Sequence, residues 1–105
     1  MPDDVWSHKA LINVVSHTKI ETDLLSEIKK RGKWIDTFRE INPSGKLYSW
    51  WSYRARDWKV SNRGRRLDHI WASHDLKSKL SKVQIFSEAR DWERPSDHVP
   101  ILSIF

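Results

Sequence analysis

The apolar positions of this 105-residue chain change period several times, and each change marks an element. Residues 18–32 are the clearest case. Ile20, Leu24, Leu25 and Ile28 recur on one face of a helix. Thr18 and Glu21 form a capping box at its start, the hydroxyl covering an orphan backbone N–H and the carboxylate reaching back. Lys29, Lys30 and Arg31 complement the negative end of the helix dipole, and Gly32 offers a left-handed exit. Ahead of this helix, Asp4-Val5-Trp6-Ser7-His8-Lys9 runs into an apolar-leaning stretch with no firm assignment, in which Trp6 and Leu11 are expected to pack. His8 and His17 stand apart in sequence and read as polar surface or capping groups.

After the helix, Trp34-Ile35-Asp36-Thr37-Phe38-Arg39-Glu40 predicts a short second helix or turn that buries Trp34, Ile35 and Phe38. Asn42-Pro43-Ser44-Gly45 is a turn by composition. Residues 47–53 read as an aromatic strand, with Tyr48, Trp50 and Ser52 on one face and Ser49, Trp51 and Tyr53 on the other. One tryptophan of the adjacent pair can then be core while its neighbour is presented at a surface. Residues 56–66 form a polar loop. Leu67-Asp68-His69-Ile70-Trp71-Ala72 is a strand with Leu67, His69 and Trp71 on one face and Asp68 and Ile70 on the other. A short helix capped by Ser73 follows over 73–80, and strands are expected at 83–87 and 101–105.

The length suits one domain and is too short for two. No apolar run is long enough to span a membrane, and Met1-Pro2-Asp3-Asp4 has neither the basic region nor the apolar core of a signal peptide. The chain has no cysteine, which excludes disulfides and zinc–thiolate sites and fits a reducing, cytoplasmic setting. Lys and Arg number 19 against 14 Asp and Glu, a net charge of +5 that favours polyanionic partners. Seven tryptophans, several beside basic residues, suit a surface that pairs phosphates and packs on sugars or bases.

The chemistry gathers near the end, in Trp92-Glu93-Arg94-Pro95-Ser96-Asp97-His98-Val99-Pro100. Pro95 and Pro100 stiffen the loop that carries Asp97 and His98 to the lip of the last strand. A hard metal needs such a carboxylate, and proton transfer or phosphate binding can use such an imidazole. The same pair also occurs as ordinary turn chemistry, the Asp bonding its own backbone. Asp68, in an otherwise apolar strand, needs hydrogen-bonding or cationic partners if half-buried, or else faces water at an edge. The loop ending in Arg63-Gly64-Arg65-Arg66 is either phosphate-facing or simply solvated.

Three motifs in order carry a resemblance: Tyr48-Ser49-Trp50-Trp51-Ser52-Tyr53-Arg54, Gly64-Arg65-Arg66-Leu67-Asp68 and Arg94-Pro95-Ser96-Asp97-His98-Val99-Pro100. Together they resemble the C-terminal part of bacterial exodeoxyribonuclease III, in the endonuclease/exonuclease/phosphatase superfamily that also contains class II abasic-site endonucleases. The resemblance implies an α/β (α+β) fold, the C-terminal half of a two-sheet sandwich with mostly antiparallel strands and covering helices. It implies a Mg2+-dependent phosphodiesterase, with Mn2+ as an alternative metal, acting on double-stranded DNA at abasic sites and 3′ ends. By position, Asp97 resembles a metal-centre carboxylate, and His98 the imidazole that contacts the scissile phosphate or relays a proton. Asp68 resembles the carboxylate that orients it. Trp50 and Leu67 resemble walls of the abasic-sugar pocket, and Arg54 would lie close to the DNA. Arg65 departs from relatives that place Trp there as part of the pocket.

The upstream metal-binding Asn and Glu, the phosphate-proximal Tyr and the Asp-x-Asn motif of that family have no counterpart in this sequence. Residues 1–105 are therefore expected to form an incomplete domain, supplying mainly one sheet, with an apolar face exposed and marginal stability alone. Three functions follow: a nuclease fragment, inactive or weak alone; half of a split nuclease that needs a separately encoded N-terminal half; or a non-catalytic DNA-binding module.

Overall fold

The structure is a computed structural model that describes residues 2–15 and 17–105. A 3-10 turn at Pro2–Asp4 leads to α1 (His8–Leu11), whose first turn is capped by Ser7 Oγ accepting from the Ala10 amide at 3.2 Å. Helix α2 spans Lys19–Arg31. Its capping box forms as the sequence predicts: Thr18 Oγ1 accepts from the Glu21 amide at 3.3 Å and donates to Glu21 Oε1 at 2.8 Å.

Two features of α2 differ from expectation. Gly32 is right-handed, with φ −80°, and the left-handed residue is Lys33 at φ 53°. Gly32 serves contact instead of chirality, since a Cβ there would collide with the Trp34 indole. The apolar stripe is also not buried. Ile20 is 73% exposed and Ile28 57%, because the helix meets the other elements chiefly through β1.

The expected second helix or turn divides into strand β1 (Trp34–Asp36) and helix α3 (Thr37–Ile41), with Asp36 as the helix cap. Ile35 and Phe38 are buried as expected, whereas Trp34 is 42% exposed against Gly32. Helix α4 is one turn, Trp58–Ser61, inside the predicted polar loop. Strand β2 (Trp71–Ser73) pairs antiparallel with β1, Ile35 opposite Ala72. The longer predicted strand 67–72 is regular only at its end, because β1 offers just three residues to pair with. The expected short helix forms as a 3-10 helix, His74–Lys79, but Ser73 makes no side-chain cap bond. Strands β3 (Lys82–Ile85) and β4 (Ile101–Ile104) form a second antiparallel pair. A further 3-10 turn, Ser87–Asp91, follows β3.

The result is a mixed α/β fold with two small antiparallel sheets covered by helices, where the sequence suggested mainly one sheet. Thr37 joins the sheets. Fully buried, its Oγ1 donates to Ile70 O at 2.9 Å and meets Ser103 Oγ at 2.7 Å. Tyr48, Trp51, Ala89 and Val99 form the apolar core, with Trp6, Trp58 and Ile85 packed against it. Gly64 lets the Tyr48 ring lie on bare backbone, where a Cβ would clash. On β4, Leu102 and Ile104 stay exposed on the face away from Ser103, with Phe105 beyond them, which fits the expected uncovered apolar patch. No helix among the described residues is long and apolar enough to cross a membrane.

Candidate active site

Residues 48–51 form the spine of the site, although they are not a regular strand. Trp50 makes isolated antiparallel bridges to Arg65 on one side and His98 on the other. Trp51 N donates to Asp97 O at 3.0 Å, and Val99 N to Ser49 O at 2.8 Å. All three sequence motifs thus meet here, drawn together by backbone pairing. The predicted alternation fails where Tyr48 and Trp51, assigned to opposite faces, touch edge-to-face at 6.2 Å. The division of the tryptophan pair holds: Trp51 is 4% exposed in the core, and Trp50 is half-buried at the site.

Asp68 and His98 come together. His98 Nδ1 lies 2.7 Å from Asp68 Oδ2, with both side chains partly open to solvent. An Asp acceptor at Nδ1 fixes the tautomer with hydrogen there, leaving Nε2 to accept a proton or, when charged, to face an anion. Asp97 lies alongside, its Oδ2 accepting from the Trp50 indole N–H at 3.0 Å. The Asp97-His98 pair is therefore more than turn chemistry, because each side chain has a distant partner that aims it. Ser49, wholly buried, holds the other wall: its Oγ accepts from the amides of Leu67 at 3.1 Å and Asp68 at 3.0 Å. Nothing in the sequence singled out Ser49 for that task.

Leu67 is half-buried beside this site and Arg54 is exposed. Arg65 is buried, its guanidinium 5.8 Å from the Trp50 ring centroid and bonded to Val15 O at 2.7 Å. Behind it, His17 is 3% exposed and its Nε2 meets His8 Nδ1 at 2.7 Å. The two histidines are partners, not isolated surface groups. Burial, then the neighbouring His8, pushes the His17 imidazole below its ordinary pKa.

Arg66 also leaves the solvent. Its guanidinium binds Asp4 Oδ1 at 2.8 Å through Nε, and Asp36 through Nη1 at 2.9 Å and Nη2 at 2.6 Å. Arg39 Nη2 adds a bond to Asp4 Oδ1 at 2.7 Å. Burial favours the neutral acids, but Arg66 and Arg39 hold Asp4 below the usual carboxylate range. Against the same burial effect, His69 and Arg66 hold Asp36 well below it. A basic tail that looked solvated or phosphate-facing thus contributes two buried cations.

Among the described residues no three His, Asp or Glu side chains converge on a metal position. Asp97 offers one hard oxygen donor, while a Mg2+ site needs about six oxygens. The residues present do not fit a complete metal centre.

The α/β scaffold thus sets an Asp–His pair beside a carboxylate and an indole, a constellation that can orient an imidazole for proton transfer or for binding an anion. Residues 4–98 match the Endonuclease/Exonuclease/phosphatase family, and the chain belongs to it. Exodeoxyribonuclease III of Haemophilus influenzae is 41% identical over 71 residues, 67% of this chain and 26% of that protein. An exodeoxyribonuclease of Bacillus subtilis is 32% identical over 101 residues, 93% of this chain and 37% of its own. An AP endonuclease from Archaeoglobus fulgidus superposes on all of this chain with a TM-score of 0.95 at 28% identity, and the match covers 40% of its length. A 3′ phosphatase from Neisseria bound to product DNA hairpin does so at 0.87, also at 28% identity and 40% of its length. The chain therefore spans between a quarter and two fifths of the length of these relatives.

Proposed function

We propose that this chain carries part of an exodeoxyribonuclease III-like centre that hydrolyses phosphodiesters of double-stranded DNA at abasic sites and 3′ ends, and that it is inactive or weak alone. The observation that carries the reading is the 2.7 Å contact between His98 Nδ1 and Asp68 Oδ2, beside an Asp97 carboxylate held by the Trp50 indole. In this reading Asp68 orients His98, and His98 Nε2 meets the scissile phosphate, charged against its oxygens or moving a proton. Asp97 would share a Mg2+, or Mn2+, with ligands from outside residues 1–105. Trp50 and Leu67 would wall the abasic sugar, where a full nucleotide is crowded out. Arg54, exposed, would lie along the DNA backbone. Arg65 would narrow the pocket with a cation stacked on Trp50, in place of a second ring.

A half of a split enzyme is the second reading. It is favoured by Leu102 and Ile104, uncovered on β4, which give a second chain an apolar face to cover. The test is Mg2+-dependent incision of an abasic-site duplex by the purified chain, its Asp97→Ala variant, and each mixed with an N-terminal half taken from a relative. Incision only in the mixture, lost with Asp97→Ala, is the expected result. Incision by the chain alone would refute the need for outside ligands. Salt-sensitive DNA binding without incision in any mixture, unchanged by Asp97→Ala and His98→Ala, would point to a binding module instead.

A further inference from the structure

A cleft of about 890 Å³ opens between α2 and the β1–β2 sheet. It lies apart from Asp97, His98 and Asp68, although Leu67 and Arg65 reach its edge. Its size falls within the range of small-molecule sites, roughly 300–1,000 Å³. Leu67, His69 and Trp71 all line it, as their shared strand face requires, and Trp34 lines it from β1. The wall is therefore aromatic, with Trp34 seated on Gly32.

The charge at the cleft is mainly positive. Asp4 and Asp36 are paired with the buried arginines and Glu40 lies 3.7 Å from Lys77, while Glu21 keeps its charge in the Thr18 cap. Lys29, Lys30 and Lys33 line the same cleft, and none of the three has an acid within ion-pair distance among the described residues. The helix dipole accounts for basic residues in the last turn of α2. It does not account for Lys33, which lies beyond that turn. Lys33 holds φ 53°, a left-handed position that glycine takes without strain and lysine does not. The left-handed turn itself is an ordinary helix exit; what it leaves unexplained is a lysine where glycine would be free of strain, at the lip of an aromatic cleft.

We propose that this cleft binds a small anion bearing a planar ring, of the nucleoside monophosphate class, with its phosphate on Lys29, Lys30 and Lys33 and its base against Trp34 and Trp71. The proposal does not depend on the nuclease reading.

The test titrates adenosine 5′-monophosphate into the isotope-labelled chain and follows the Trp34 indole N–H, assigned with Trp34→Phe. A saturable shift is expected, with adenosine and inorganic phosphate each weaker by about tenfold or more. Lys33→Gly should weaken binding about fivefold while raising the urea midpoint of unfolding, since it removes a contact and relieves strain together. A merely structural Lys33 would not move the two readouts in opposite directions. The proposal fails if no saturable shift occurs, or if the Lys29→Gln/Lys30→Gln/Lys33→Gly triple variant binds as tightly as the parent. It also fails if inorganic phosphate binds as tightly as the nucleotide.

Discussion

Arg66→Met tests what holds the first half of the chain together. Arg66 is almost completely enclosed and serves two carboxylates at once, with distances from 2.6 to 3.2 Å. Methionine keeps much of the stem but removes the charge. Asp4 would retain Arg39 at 2.7 Å. Asp36 would be left with the Arg39 amide at 3.4 Å and His69 at 3.9 Å. Breaking a buried pair by removing one partner costs about 3–5 kcal/mol. A domain of this size holds only about 5–15 kcal/mol in all. With a urea slope of ~1.5 kcal/mol/M, the midpoint should fall by roughly 2–3 M, or the folded baseline should disappear. The pH dependence gives a second sign to check. In the parent, Asp4 and Asp36 have lowered pKa values, so their contribution is present above the unfolded Asp value of ~3.9 and is lost as pH falls through the folded values. In the variant, burial dominates and raises Asp36, so acid relieves the unpaired charge. The gap between parent and variant should therefore shrink between pH ~7 and pH ~4.5. Urea unfolding followed by tryptophan fluorescence at both pH values measures it. A loss below about 1 kcal/mol, or a gap that does not change with pH, would refute the reasoning.

Two further outcomes are expected. His17 has a lowered pKa in the fold, so stability should be full above the unfolded His value of ~6.5 and decline as pH falls through the folded value. His17→Gln should flatten that slope in thermal melts at several pH values, and an unchanged slope would place the titration elsewhere. Leu102→Ser/Ile104→Ser should reduce concentration-dependent self-association in sedimentation velocity, since these side chains are uncovered on β4. Equal association by parent and variant would exclude that face.

The features legible in the sequence are those set by neighbours a few residues apart or by a fixed period. The Thr18–Glu21 cap is one. The common face of Leu67, His69 and Trp71 is another, and the motifs that carry Asp68 and His98 are a third. The Arg63-Gly64-Arg65-Arg66 tail was not legible, because a count of charges cannot tell a solvated arginine from a buried one. That depends on Asp4, 62 residues from Arg66, and on Asp36, 30 residues away. His8 and His17 stand unrelated in the sequence for the same reason: they are 9 positions apart and meet only in the fold. Gly32 invited a conformational explanation, and the actual one is the indole lying on it. The helical period at Ile20, Leu24 and Ile28 located a helix correctly but not a core, since period says nothing about whether another surface arrives to cover the stripe.

Thr37 also sets an order of assembly during synthesis. Its hydroxyl has two partners, Ile70, made 33 residues later, and Ser103, made 66 residues later. At about 5–20 residues per second, the second partner follows Thr37 by roughly 3–13 s. By the time Ser73 has been made, both strands of the first sheet and every member of the cluster formed by Asp4, Asp36, Arg39 and Arg66 exist, whereas no strand of the second sheet does. The first sheet can therefore gather around that cluster on the ribosome and wait, with Thr37 half-satisfied, for β3 and β4 to dock on a surface already in place.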